Sequence, residues 1–150
     1  MKRTICFLLS MMTIITLAAC GSSGKAVDVQ AQADALVTNC TFDSPLSPVS
    51  AEELGFYFDV PEGTEIAGYL SDGNTAEIVV CANCKSADDA KALMTSYESY
   101  AADRKQEAER YQPQEVARID NGLTTRAAGT NAVLVICADT DSVGKVLGGY

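Results

Sequence analysis

The chain has 150 residues, with twenty acidic and eleven basic side chains, a formal charge of −9, six cysteines and neither histidine nor tryptophan. Without histidine it lacks the usual general base near neutral pH, the commonest zinc ligand and any Ser-His-Asp arrangement, so most hydrolase classes are excluded. The acidic balance speaks against nucleic acid and anionic membrane surfaces as electrostatic partners, and six Tyr and four Phe, scattered along the chain, supply little of a stacking platform.

Residues 1–19 divide as a secretory signal peptide does: Lys2 and Arg3, an apolar stretch over 5–17 interrupted only by Ser10, Thr13 and Thr16, then small residues. The apolar stretch is too short to span a bilayer, for which a helix needs about 20 residues. Leu17-Ala18-Ala19-Cys20, followed by Gly21, resembles the lipobox of bacterial lipoproteins. That resemblance implies acylation of the Cys20 sulfur and cleavage between Ala19 and Cys20. At about 0.8 kcal/mol per buried methylene, the two chains of a diacylglyceryl group anchor stably where one holds only marginally. Residues 20–26 then read as the lipidated cysteine and a small, polar tether reaching roughly one or two nanometres, and 27–150 as a single domain. Cleavage leaves 131 residues at a formal charge of −11, enough chain to bury a core.

Within the domain, 27–37 place Val29, Ala33, Leu36 and Val37 at helical spacing, and 39–48, with Pro45 and Pro48, read as a loop. Ser50-Ala51-Glu52-Glu53-Leu54 predicts a capped turn of helix ending at Gly55. A hairpin comes next, with strand-like runs at 65–70 and 75–82 joined by Ser71-Asp72-Gly73-Asn74. Its second run, Ile78-Val79-Val80-Cys81-Ala82, is apolar on both alternating faces and predicts an interior strand. Ser86 caps the longest predicted helix, with Asp88 and Asp89 suited to the helix dipole. Ala90, Leu93, Met94, Tyr97, Tyr100, Ala101, Ala108 and Tyr111 form its core-facing stripe, and Pro113 ends it. Two more strands, 122–128 and 132–138, flank Gly129-Thr130-Asn131, and Asp139 caps a short last helix ending at Gly148-Gly149. This order predicts an α+β, two-layer domain: a four-stranded, mainly antiparallel sheet with the long amphipathic helix and shorter helices packed on one face.

Cys6 leaves with the signal and Cys20 carries lipid, so four thiols remain: Cys40, Cys81, Cys84 and Cys137. Outside the cytoplasm they permit disulfides, with three full pairings open. Cys81-Ala82-Asn83-Cys84, after a strand and before a helix, is the sharpest chemical candidate, as a disulfide or as a redox pair whose thiolate a helix dipole would favour. Against redox chemistry stand the missing βαβ unit and a cap at Ser86 that leaves Cys84 outside the first turn. Half of a zinc pattern lacks its other half, and Asp139-Thr140-Asp141 lacks the rest of a calcium loop. Glu52-Glu53 and Asp88-Asp89 are adjacent on helices and do not face each other. Glu77, between Ala76 and Ile78, reads as the polar face of a half-exposed sheet.

Taken in order, the lipobox, Thr75-Ala76-Glu77-Ile78, the long helix through Arg104 and Gln106, Tyr111-Gln112-Pro113-Gln114-Glu115, Asn121-Gly122 and Gly129 resemble the small bacterial lipoproteins that carry domain of unknown function 4358. The resemblance spans 27–150. It implies a lipid-anchored, extracytoplasmic domain of unassigned activity and brings over no catalytic residue; Cys81, Cys84 and Cys137 are not part of that pattern. The expectation is therefore a non-enzymatic binding or interaction module on the extracytoplasmic face of the cell membrane. It would be anchored at Cys20 and would engage a protein or a small solute, with no nucleic acid, metal or cofactor. The competing expectation is a membrane-tethered thiol-disulfide oxidoreductase using Cys81 and Cys84.

Overall fold

The computed structural model describes residues 27–150, so the signal, Cys6, Cys20 and the tether lie outside the described residues. The described residues form five helices and five strands, in the order α1 (Val29–Asn39), β1 (Leu46–Val49), α2 (Ala51–Tyr57), β2 (Glu65–Ser71), β3 (Ile78–Asn83), α3 (Ala87–Tyr111), α4 (Pro113–Gly122), β4 (Leu123–Ala128), β5 (Asn131–Ile136) and α5 (Thr140–Leu147). The strands form one antiparallel sheet in the order β1-β2-β3-β5-β4, so the domain is α+β with an antiparallel sheet.

The sheet has five strands where four are predicted. The added one, β1, lies in the stretch read as a loop because of its prolines. Pro48 sits opposite Tyr69 at the sheet edge, where a residue lacking an N–H costs no interior ladder bond. A second difference lies at Pro113. This proline ends α3, as predicted, and also occupies the first turn of α4, where its missing N–H is one of the groups a helix start leaves unpaired.

The helices cover both faces of the sheet, not one. Ile78, Val80, Ala82, Leu134 and Ile136 pack with Leu54 of α2, Leu93 and Tyr97 of α3 and Ile119 of α4. Val79, Cys81, Val133 and Val135 point the other way and pack with Ala33 and Leu36 of α1 and Val143 and Leu147 of α5. Burying one such aliphatic side chain is worth about 1.5–3 kcal/mol. Two central strands that are apolar on both faces therefore demand cover on both.

Local signals set the boundaries. Asp28, Ser50, Ser86 and Asp139 each accept a backbone N–H at the start of α1, α2, α3 and α5, and Ser50 with Glu53 completes a reciprocal capping box. α2 runs past Gly55 to Tyr57. Gly73, at φ 92°, supplies the positive backbone angle of the hairpin turn. The α3 stripe buries Ala90, Leu93, Tyr97, Ala101 and Ala108, but Tyr111, predicted to face the core, is 77% exposed at the last turn, beyond the sheet.

Tyr97 is fully buried, its ring edge-on to Phe58 at 4.9 Å, and its hydroxyl has no hydrogen-bond partner. Removing an unpaired buried hydroxyl relieves a desolvation cost, so Tyr97→Phe is expected to raise the unfolding free energy by about 1 kcal/mol in urea denaturation. A loss of stability would show that the hydroxyl is satisfied in solution.

Candidate functional site

Cys81 and Cys84 do not form a reactive pair. Three residues apart along an extended segment, they fall on opposite faces: Cys81 in the cluster under α1 and α5, Cys84 in the cluster under α2 and α3. Both are buried, and burial is the largest cause raising each thiol above its ordinary value, the reverse of an activated thiolate. The cap of α3 is Ser86, and the Cys84 N–H donates to the Thr130 carbonyl at 2.8 Å, so Cys84 stands outside the helix dipole's first turn.

Glu77 is not on a half-exposed face. It is 1% exposed, in the turn that leads into β3, and takes hydrogen bonds from the Asp43 N–H (2.8 Å), the Ser44 N–H (2.9 Å), the Thr75 hydroxyl (3.0 Å) and the Arg118 guanidinium (3.0 Å). Arg118, on α4, also holds Glu115 at 2.9 Å and Asp43 at 2.7 Å, and Glu115 accepts the Ala76 N–H at 2.9 Å. One guanidinium thus binds three carboxylates and fastens the 43–44 loop and the entry to β3 onto α4. The sequence reading named Glu77 and Glu115 but missed Arg118 and Asp43. One local signal was present, the three-residue spacing of Glu115 and Arg118 on one helix face; the partners 34 and 41 residues from Glu77 had none.

This cluster offers little to a substrate. Both oxygens of Glu77 and the buried oxygen of Glu115 are engaged by protein donors, as expected of carboxylates held out of water. Arg118 and Asp43 reach one cleft, shared with Gln114, Asn121 and Ala138, and the buried Glu77 borders another beside Thr75 and Arg104. Among the described residues, no group of three or more His, Cys, Asp or Glu is placed to hold a metal ion, and no helix is long and apolar enough to cross a membrane.

The surface does offer an aromatic ridge. Phe56 and Tyr57 at the end of α2 are 80% and 49% exposed, and Tyr57 meets Tyr100 of α3 edge-on at 6.1 Å. On one side lies a cleft of about 300 Å³ lined by Tyr57, Leu70, Asp72, Thr75, Tyr100 and Arg104. On the other lies a cleft of about 250 Å³ bordered by Phe56, Ser96, Ser99 and Asp103. Both clefts fall at or below the small end of ligand pockets, about 300–1,000 Å³, and suit a side chain or a small solute better than a large ligand. Compared with protein-family models, curated proteins and solved structures, the chain finds no match.

Proposed function

We propose that this chain is a lipid-anchored, extracytoplasmic binding module of the cell membrane, non-enzymatic, held by diacylglyceryl at Cys20 and engaging a partner protein or small solute through its aromatic ridge. The observation that carries the binding role is the exposure of Phe56 and Tyr57 beside two clefts, in a domain whose buried carboxylates and thiols are taken up by the fold. Exposed aromatics at a cleft are the side chains that most often anchor an interface. The anchor is supported by the lipobox and by the charge and length of the segment before it.

Kinship with the lipoproteins carrying domain of unknown function 4358 is part of the same proposal. Two of the blocks that carry the resemblance touch: Glu115 of Gln114-Glu115 accepts the N–H of Ala76 in Thr75-Ala76-Glu77. The opposed and buried sulfurs of Cys81 and Cys84 favour no oxidoreductase reading.

Cys20→Ser is expected to abolish incorporation of a palmitate analogue and to move the protein out of the membrane fraction of the expressing bacterium. Labelling that persists at the unsubstituted level would refute the anchor. A photo-crosslinking residue at position 56 is expected to give a discrete adduct in intact cells, absent when it is placed at the exposed Lys91. Equal adducts from both positions would remove the ridge from the reading.

A further inference from the structure

We propose that Cys40 and Cys137 are a disulfide site, a covalent tie between the C-terminal end of α1 and the end of β5. Cys40 is the C-cap of α1, and Cys137 comes directly after β5. Both lie in the cluster under α1 and α5, and the residues after them are already joined, the Ala138 N–H donating to the Thr41 carbonyl at 3.0 Å. α1 packs on β2 and β3 and runs in the same sense as β5, meeting its two ends. Gln32 pairs with Asn131 at the start of the strand, and Thr41 meets Ala138 just past its end. The two cysteines thus lie side by side in one buried cluster, and the Cys137 thiol donates to the Asp139 carbonyl at 3.3 Å.

Sheet register decides among the pairings that the sequence leaves open. Cys81 is opposite Val133, four residues before Cys137, so the two lie about 13 Å apart along the strands at 3.3 Å per residue, beyond the roughly 7 Å that a disulfide tolerates between Cα atoms. Cys84 is farther still, past the Asn83–Asn131 row, and belongs to the other face. The same register keeps Cys40, at the Cys137 end of β5, away from Cys81.

Oxidation proceeds by exchange with an external disulfide, a low-molecular-weight or protein one. One cysteine thiolate attacks it, forming a mixed disulfide and releasing one thiol. The other thiolate attacks the mixed disulfide and releases the second thiol. Two protein thiols thereby lose two protons and two electrons, and one external disulfide becomes two thiols. Burial, the largest cause, and the neighbouring sulfur push Cys40 up to about 11, so the exchange belongs to the folding chain, before the cluster closes. In the cell this step rests on the export proposed above, because disulfides persist in oxidising compartments; in a redox buffer it does not.

The test is refolding of the reduced, unfolded full chain in detergent with glutathione and glutathione disulfide, then alkylation under denaturing conditions and digestion with trypsin and glutamyl endopeptidase. Cleavage after Lys25, Glu52, Glu77 and Lys85 puts Cys40, the Cys81 and Cys84 segment, and Cys137 in separate peptides. Expected are one cross-linked pair joining Cys40 to Cys137, Cys81 and Cys84 alkylated, and a midpoint of thermal unfolding that falls by about 10 °C on reduction. Cys40 and Cys137 recovered mainly as alkylated thiols, or either one cross-linked to Cys81 or Cys84, would overturn the proposal. A site that closes in the redox buffer but is reduced in protein taken from cells would uphold the disulfide and refute export.

Discussion

Arg118→Ala is expected to lower the unfolding free energy by about 3 kcal/mol, because it leaves two buried carboxylates without their cation. The side chain of Glu77 is fully buried and that of Glu115 is 3% exposed, and Arg118 binds both, at 3.0 and 2.9 Å. A domain of this size has only about 5–15 kcal/mol in total, so the melting midpoint should drop by roughly 10 °C. Arg118→Lys should recover only part of the loss, because an ammonium cannot reproduce the fork that reaches Glu115 through Nε and Glu77 through Nη1. A loss below about 1 kcal/mol would place the cluster among ordinary surface ion pairs. A double-mutant cycle with Glu77→Ala distinguishes a shared interaction from two independent losses: coupling predicts a double variant clearly less damaged than the sum.

Gly122→Ala is expected to be comparably damaging, at about 3 kcal/mol in urea denaturation, for a steric reason. A Cβ at Gly122 would stand 2.0 Å from the Cys137 carbonyl oxygen and 3.1 and 3.2 Å from the Cys137 backbone carbon and nitrogen. The obstruction is backbone, and the Cys137 N–H donates to the Gly122 carbonyl at 3.3 Å, so neither segment can withdraw without breaking the contact between α4 and the end of β5. Gly55→Ala is the matched control. It lies in α2, exposed, with nothing within 4 Å of its Cβ, and should gain about 0.5–1 kcal/mol from helix propensity alone. Equal responses at the two glycines would contradict the close approach at Gly122.

Helix starts were legible because caps act within three residues: Ser50, Ser86 and Asp139 carry their partners beside them. The hairpin of β2 and β3 was legible for the same reason, through Asp72-Gly73. α4 was not. Pro113 is equally a helix stop and a helix start, and only the packing of α4 back against α3 decides between them. β1 was not either, since a four-residue edge strand with a proline has no periodicity to detect and exists because β2 offers it an unpaired edge.

The sequence by itself determined an α+β domain, the capped helix starts and the interior character of β3 and β5, while the cover it predicted lay on one face only. Periodicity and capping are short-range, so they are written locally. Only the tertiary structure decided that helices cover both faces and which take which, that Thr41 and Ala138 join and bring Cys40 and Cys137 together, and that Glu77 is a buried partner of Arg118. Each of these is a meeting of residues remote in sequence, which no local pattern specifies.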